Sequence, residues 1–233
     1  YAGAWAQPLA QGVPTADQRV KEGFVAAKQA VQAGDVNALA VARAQIWTSV
    51  LDGAQQLVFN AVRAGEFETA QQWLAVREFR HATRFSRPNA DGTMALAGLR
   101  AGTLTVEDTL TALSADLLDT YQARLTEALH DLTAADQQGF AMRRAEHAAL
   151  AQGYFAMLLP AYQSQRGNDA VATASAALAT LTAAAQQGQA VDMATNAVNA
   201  ALEGFRAAPL SAAEQHRRAG QLLRFLSLVP VEY

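Results

Sequence analysis

Between QAGD at residues 32–35 and RAGE at residues 63–66 the chain reads VNALAVARAQIWTSVLDGAQQLVFNAV, and the reading of this stretch decides the fold. Both flanking tetrapeptides place a glycine after a small residue and before an acidic one. Glycine suits the left-handed position just past a helix end, and the polar residue behind it can open the next helix. Period-2 alternation does not persist anywhere in the chain and β-branched residues are sparse, so the stretch predicts one helix over 36–63. The same punctuation recurs as RAGT at 100–103 and QQGQ at 186–189. Ser/Thr-x-x-Glu/Asp capping boxes add starts at Thr105-Val-Glu-Asp108 and at Ser211-Ala-Ala-Glu214 behind Pro209.

These signals predict helices over 16–33, 36–63, 66–84, 90–101, 105–131, 134–165, 169–187, 190–206 and 211–227. The expected fold is all-α: an antiparallel array of eight to nine helices filling a single domain over 1–233, with sub-layers at 16–101 and 105–233. The spacing of the RAG stops hints at helix-hairpin repeats, though no tetratricopeptide consensus accompanies it. Pro160 is expected to kink or split its helix, and SRPNADG at 86–92 reads as the clearest loop.

Composition narrows the function classes. Half of the chain is apolar, much of it alanine, which suits tight helix packing around thin cores with large anchors such as Trp47, Trp73, Phe79 and Phe155. The formal net charge is −3 and the basic residues are scattered outside 77–87, so no nucleic-acid footprint is visible. All basic residues but Lys21 and Lys28 are arginine, and cysteine is absent, which removes disulfides and thiolate chemistry. The most apolar stretch, AALAQGYFAMLLPAY at 148–162, is short and interrupted, so no transmembrane span is expected. The opening YAGAWAQP lacks the marks of a signal peptide.

Residues 77–88, REFRHATRFSRP, carry the densest charge. On a helix continued to the proline, Arg77, Arg80, Arg84 and Arg87 form one stripe. Such a stripe requires an anion. Asp116 and Asp119, three apart in SADLLDTYQARL, can offer carboxylates to Arg80 or Arg84 from a neighbouring helix as a structural ion network. The functional reading is a site for a metal chelate, a phosphate or an acidic partner, and the third reading is a solvated stripe.

Two Glu-x-x-His pairs occur, Glu78/His81 and Glu127/His130. Helical i, i+3 pairs of this kind ligate iron in carboxylate-bridged di-iron bundles. Glu127 and His130, however, lie opposite Leu118, Tyr121, Leu125 and Leu132 on the helical wheel and are expected to be solvated. A partly exposed capture site using Glu78, His81, Glu146 or His147 fits better, in competition with His81 simply pairing with a carboxylate. GxSxG, HExxH, P-loop and dinucleotide glycine patterns are all absent, which favours a binding or accessory module over an enzyme.

Three segments carry a resemblance: IWTSVLDGAQQLVFNAVRAGEFETAQQWLAVREFRHATRFSRPNADGTMAL (46–96), SADLLDTYQARLTEALHDL (114–132) and LLRFLSLVPVEY (222–233). They resemble the extracytoplasmic N-terminal region of bacterial members of the high-affinity ferric iron permease family. The resemblance implies a helical domain in the periplasm or cell envelope, attached to the membrane-embedded permease portion of the same polypeptide. Its partners would be iron or an iron chelate and other envelope proteins. The family's transport signature, Arg-Glu-x-x-Glu, does not occur: the nearest run is Arg77-Glu78-Phe79-Arg80-His81. The resemblance also implies a chain that continues beyond VPVEY. The alternatives are an envelope interaction module without metal, and a di-iron bundle, which requires Glu78, His81, Glu127 and His130 to converge.

Overall fold

The computed structural model describes residue 1, residues 3–78 and 91–209, and residues 216, 219, 220, 223 and 224. Its described residues form nine helices and no strand: α1 (Ala6–Gly12), α2 (Pro14–Ala33), α3 (Val36–Ala64), α4 (Phe67–Leu74), α5 (Gly92–Arg100), α6 (Val106–Gln137), α7 (Ala141–Arg166), α8 (Asn168–Gln186) and α9 (Asp192–Leu202). The all-α array expected from the sequence is therefore what forms. Helices α3, α6 and α7 make the centre, α2 packs outside α3, α8 outside α7, α9 on α8, and the short α4 and α5 lean on α3 and α6. One buried cluster runs from Leu9 to Ala207 and takes residues from both expected sub-layers.

The glycine stops work as read. Gly34, Gly65, Gly102 and Gly188 all adopt positive φ. At Gly65 the turn closes with the Glu66 amide donating to the Ala61 carbonyl at 2.8 Å, a bond that only a left-handed residue permits. Asp35 caps α3 by accepting from the Ala38 amide. The Thr105–Asp108 capping box at the start of α6 is complete in both directions. The second box, Ser211–Glu214, lies outside the described residues, as does Phe79.

Five expectations need correction. Helix α1 was missed, although its Leu9 is fully buried. The break expected near 132–134 falls at Gln137-Gln138-Gly139, a QQG stop like that at 186–188, with Gly139 at φ 72°. Pro160 does not split α7, which continues to Arg166. Both Pro160 and Ala156 are exposed, so the carbonyl four residues back, which loses its donor, has access to water. The helix expected over 66–84 ends at Leu74, and residues 75–78 leave it. Where the sequence predicts a helix over 190–206, α9 stops at Leu202 and an irregular segment follows. Gln122 grips that segment twice, donating to the Phe205 carbonyl at 2.7 Å and accepting from the Ala207 amide at 2.8 Å. Arg166 and Gln165 from α7 donate to the carbonyls of Glu203 and Arg206.

The seam between α3 and α7 is built of small residues. Val41 and Ala44 meet Ala145 and Ala149. One turn further on, a Cβ placed on Gly153 would run into the side chain of Thr48. Glycine here is a matter of space, since backbones this close leave no room for a methyl group. Gly153→Ala should cost roughly 1–3 kcal/mol by overpacking. Adding Thr48→Ala should restore part of that loss, so a denaturant-unfolding double-mutant cycle should show a favourable coupling.

His147 is half-buried on α7. Burial holds its pKa below the ordinary imidazole value, assisted by Arg143 and Arg124 and opposed by Asp131 and Glu146. Because the fold favours the neutral ring, its contribution is fully present above the unfolded pKa near 6.5 and is lost as the pH falls through the lower folded value. His147→Gln should flatten the acid limb of a plot of unfolding midpoint against pH below about 6.5.

Candidate functional site

The early end of α4 sends two adjacent side chains into different networks. Glu78 turns toward the central helices. Its Oε1 accepts from the Trp47 indole N–H at 2.7 Å and from the Tyr154 hydroxyl at 2.9 Å. Its Oε2 lies 3.6 Å from Nε of Arg124 on α6. Arg124 in turn donates through Nη1 to Glu127 at 2.5 Å, so one guanidinium stands between two carboxylates. Tyr121 stacks on Tyr154, with ring centroids 6.3 Å apart, and closes the site from the core side.

Electrostatics follow from this packing. Burial first, and then the Glu78 charge, push the Tyr154 phenol well above its ordinary value, so it remains a donor. Tyr121 shifts the same way for the same leading reason. Burial works against the charge on Arg124, but Tyr154, Glu78 and Glu127 more than offset it, and its pKa rises. Glu78 and Arg124 also stand in the wall of an open cleft of about 560 Å³ lined by Tyr1, Trp5, Phe24 and Trp47, with the Arg43–Glu146 pair (4.0 Å) beside them.

Arg77 turns the other way. Its Nη1 lies 3.5 Å from Oδ2 of Asp116, and its Nη2 donates to Thr93 Oγ1 at 2.9 Å. The same Asp116 oxygen accepts from the Gly92 amide at the start of α5, which Asp91 caps. Asp116 thus meets the first arginine of the sequence stripe and a helix start together. Asp119 sits one turn further along α6, half-buried. Arg80, His81, Arg84 and Arg87 lie outside the described residues, and Arg77 itself stands past the end of α4.

Of the metal candidates, Glu78 and Glu127 meet the same guanidinium. Glu127 is therefore half-buried and paired, where solvation was expected. His130 is 82% exposed and 3.3 Å from Asp131. It lines a separate cleft between α6 and α9, so it does not join Glu78. Glu146 faces Arg43. Among the described residues, no group of three or more His, Asp or Glu side chains is placed to hold a metal ion. Sequence reasoning missed Arg124, Tyr154 and Tyr121 as site residues, because each is an ordinary helical residue until three helices cross.

Removing the Glu78 carboxylate would leave the Trp47 and Tyr154 donors without an acceptor and Arg124 with one counter-charge. Glu78→Ala should cost roughly 2–4 kcal/mol in equilibrium unfolding, with Glu78→Gln intermediate because it keeps one acceptor. Tryptophan emission in the native state should shift in both variants, as Trp47 loses its charged partner.

A family model described as the iron permease FTR1 N-terminal domain matches residues 1–201. No curated protein matches the chain, and no solved structure does. The match takes in Trp47, Glu78, Arg124 and Tyr154 and stops just before the segment gripped by Gln122. The chain belongs to the iron permease FTR1 N-terminal domain family.

Proposed function

We propose that the chain is a non-catalytic, extracytoplasmic accessory domain of an iron-uptake permease. On this reading it is tied to the membrane through the membrane-embedded permease portion of the same polypeptide. It helps to capture or deliver iron, free or as a chelate, or holds other envelope proteins near the channel. The observation that carries the reading is the family match over residues 1–201, which supports an iron-uptake role. No helix among the described residues is long and apolar enough to cross a membrane. The Glu78 cleft supports iron handling because Glu78 stands in an open recess and shares its counter-cation with a second carboxylate, Glu127. Iron would enter as cargo, taking the place of Arg124 between Glu78 and Glu127, with His81 as the nearest further donor in sequence.

A second reading is supported by the same geometry. Glu78 already has two donors and a guanidinium, which is how a purely structural lock is built. In that case the domain is an interaction module that binds no metal. Metal analysis of the purified domain, followed by calorimetric titration with ferrous iron and with chelated ferric iron, separates the two. Iron capture predicts saturable binding that is lost in a Glu78→Gln/His81→Ala variant which still melts cooperatively. Heats indistinguishable from dilution would sink iron capture and leave the interaction module.

A further inference from the structure

A second recess lies between α4 and α5, on the far side of Arg77 from the Glu78 cleft. It measures about 520 Å³, and its walls are Phe67 and Leu74 from α4 with Leu96 and Ala97 from α5. Its polar lining consists of two neutral side chains, Gln71 and Thr93, and two guanidiniums, Arg77 and Arg100. Among the described residues it has no lining carboxylate. The stretch 79–90 contains neither Asp nor Glu, so the sequence there brings no counter-charge. Arg77 is paired with Asp116, so the charge that this recess offers in a chain of net charge −3 is that of Arg100.

The two arginines mark opposite ends of the recess. Arg77 is fixed by Thr93 in the first turn of α5, and Arg100 ends that helix, seven residues and about 10 Å further along its axis. Arg100 lays its guanidinium over the Phe67 ring, with Cζ 5.0 Å from the centroid, and no carboxylate among the described residues pairs with it. Stacking occupies the face of a guanidinium and leaves its N–H edge available to a carboxylate or sulfonate. Arg100 is exposed at the rim and the walls behind it are apolar.

We infer that the α4/α5 recess binds an organic anion with an apolar body, its acidic head on the Arg100 edge and its alkyl or aryl body against Phe67, Leu96 and Ala97. A small inorganic anion would leave the walls unused, and a neutral apolar molecule would leave the guanidinium unused. The volume suits a ligand of ordinary metabolite size. The inference does not depend on iron being handled at the Glu78 cleft.

The test uses the full domain with anilinonaphthalene sulfonate as a fluorescent probe and phenylnaphthylamine, which has the same rings without the charge, as comparator. Two variants accompany the wild type: Arg100→Gln, which removes the charge, and Ala97→Trp, which fills the exposed wall. Thermal melts select preparations of both with wild-type midpoints. The expected result is one saturable sulfonate site, displaced by decanoate and weakened about tenfold by Arg100→Gln, with the neutral comparator unaffected by that change. Ala97→Trp should abolish binding of both probes at this site. Sulfonate affinity unchanged by Arg100→Gln, persisting in Ala97→Trp, or absent from the wild type would each overturn the assignment.

Discussion

The contact between Gly153 and Thr48 sets the spacing on which the centre of the molecule depends. Alanine buries little area, so helices made largely of it gain stability by approaching closely, and closeness is decided where the two backbones have least between them. The neighbours of this contact are Trp47 and Tyr154. Because α3 and α7 touch through the preceding and following residues, their large polar-tipped aromatics emerge side by side and converge on one oxygen of Glu78. The site is thus a by-product of the close approach of α3 and α7.

The all-α class and most helix limits were legible because they are local. Glycine at Gly34, Gly65, Gly102 and Gly188 ends helices through its own backbone, and Thr105 and Asp108 cap through three residues of chain. The end of α4 was not legible, since nothing in Ala75-Val76-Arg77-Glu78 forbids another turn. It stops because Arg77 and Glu78 reach partners on opposite sides: Asp116 and Thr93 for the one, Trp47 and Tyr154 for the other. A continued helix would hold them about 100° apart on one cylinder. Tertiary ion pairs and hydrogen bonds decide the outcome. Proline at 160 was misjudged for a related reason: its cost depends on whether the freed carbonyl can reach water, which only burial reveals.

The site residues show the same division. Glu78, Glu127 and Asp116 were singled out as charged residues at suggestive spacings, and the structure gives each a defined partner. The partners of Glu78, Arg124 and Tyr154, and the Gly92 amide that meets Asp116 could not be read, because each of these pairings joins residues far apart in the chain. Reading charges one helix at a time groups Glu127 with His130, three residues on. The folded molecule instead gives Glu127 to Arg124, three residues back, and leaves His130 to water and Asp131.

The grip of Gln122 on residues 205 and 207 carries a consequence for how the molecule bears load. One carboxamide bonded to a carbonyl and an amide two residues apart resists both sliding and rotation of that backbone, and Arg166 and Gln165 add two more tethers from α7. A pull applied beyond Ala207 therefore reaches α6 and α7 in shear, spread over several bonds loaded together, and α9 is spared from peeling first. Among the described residues these tethers reach as far as Ala207, six residues past the point where the family match ends, and a cut made at residue 201 would discard them.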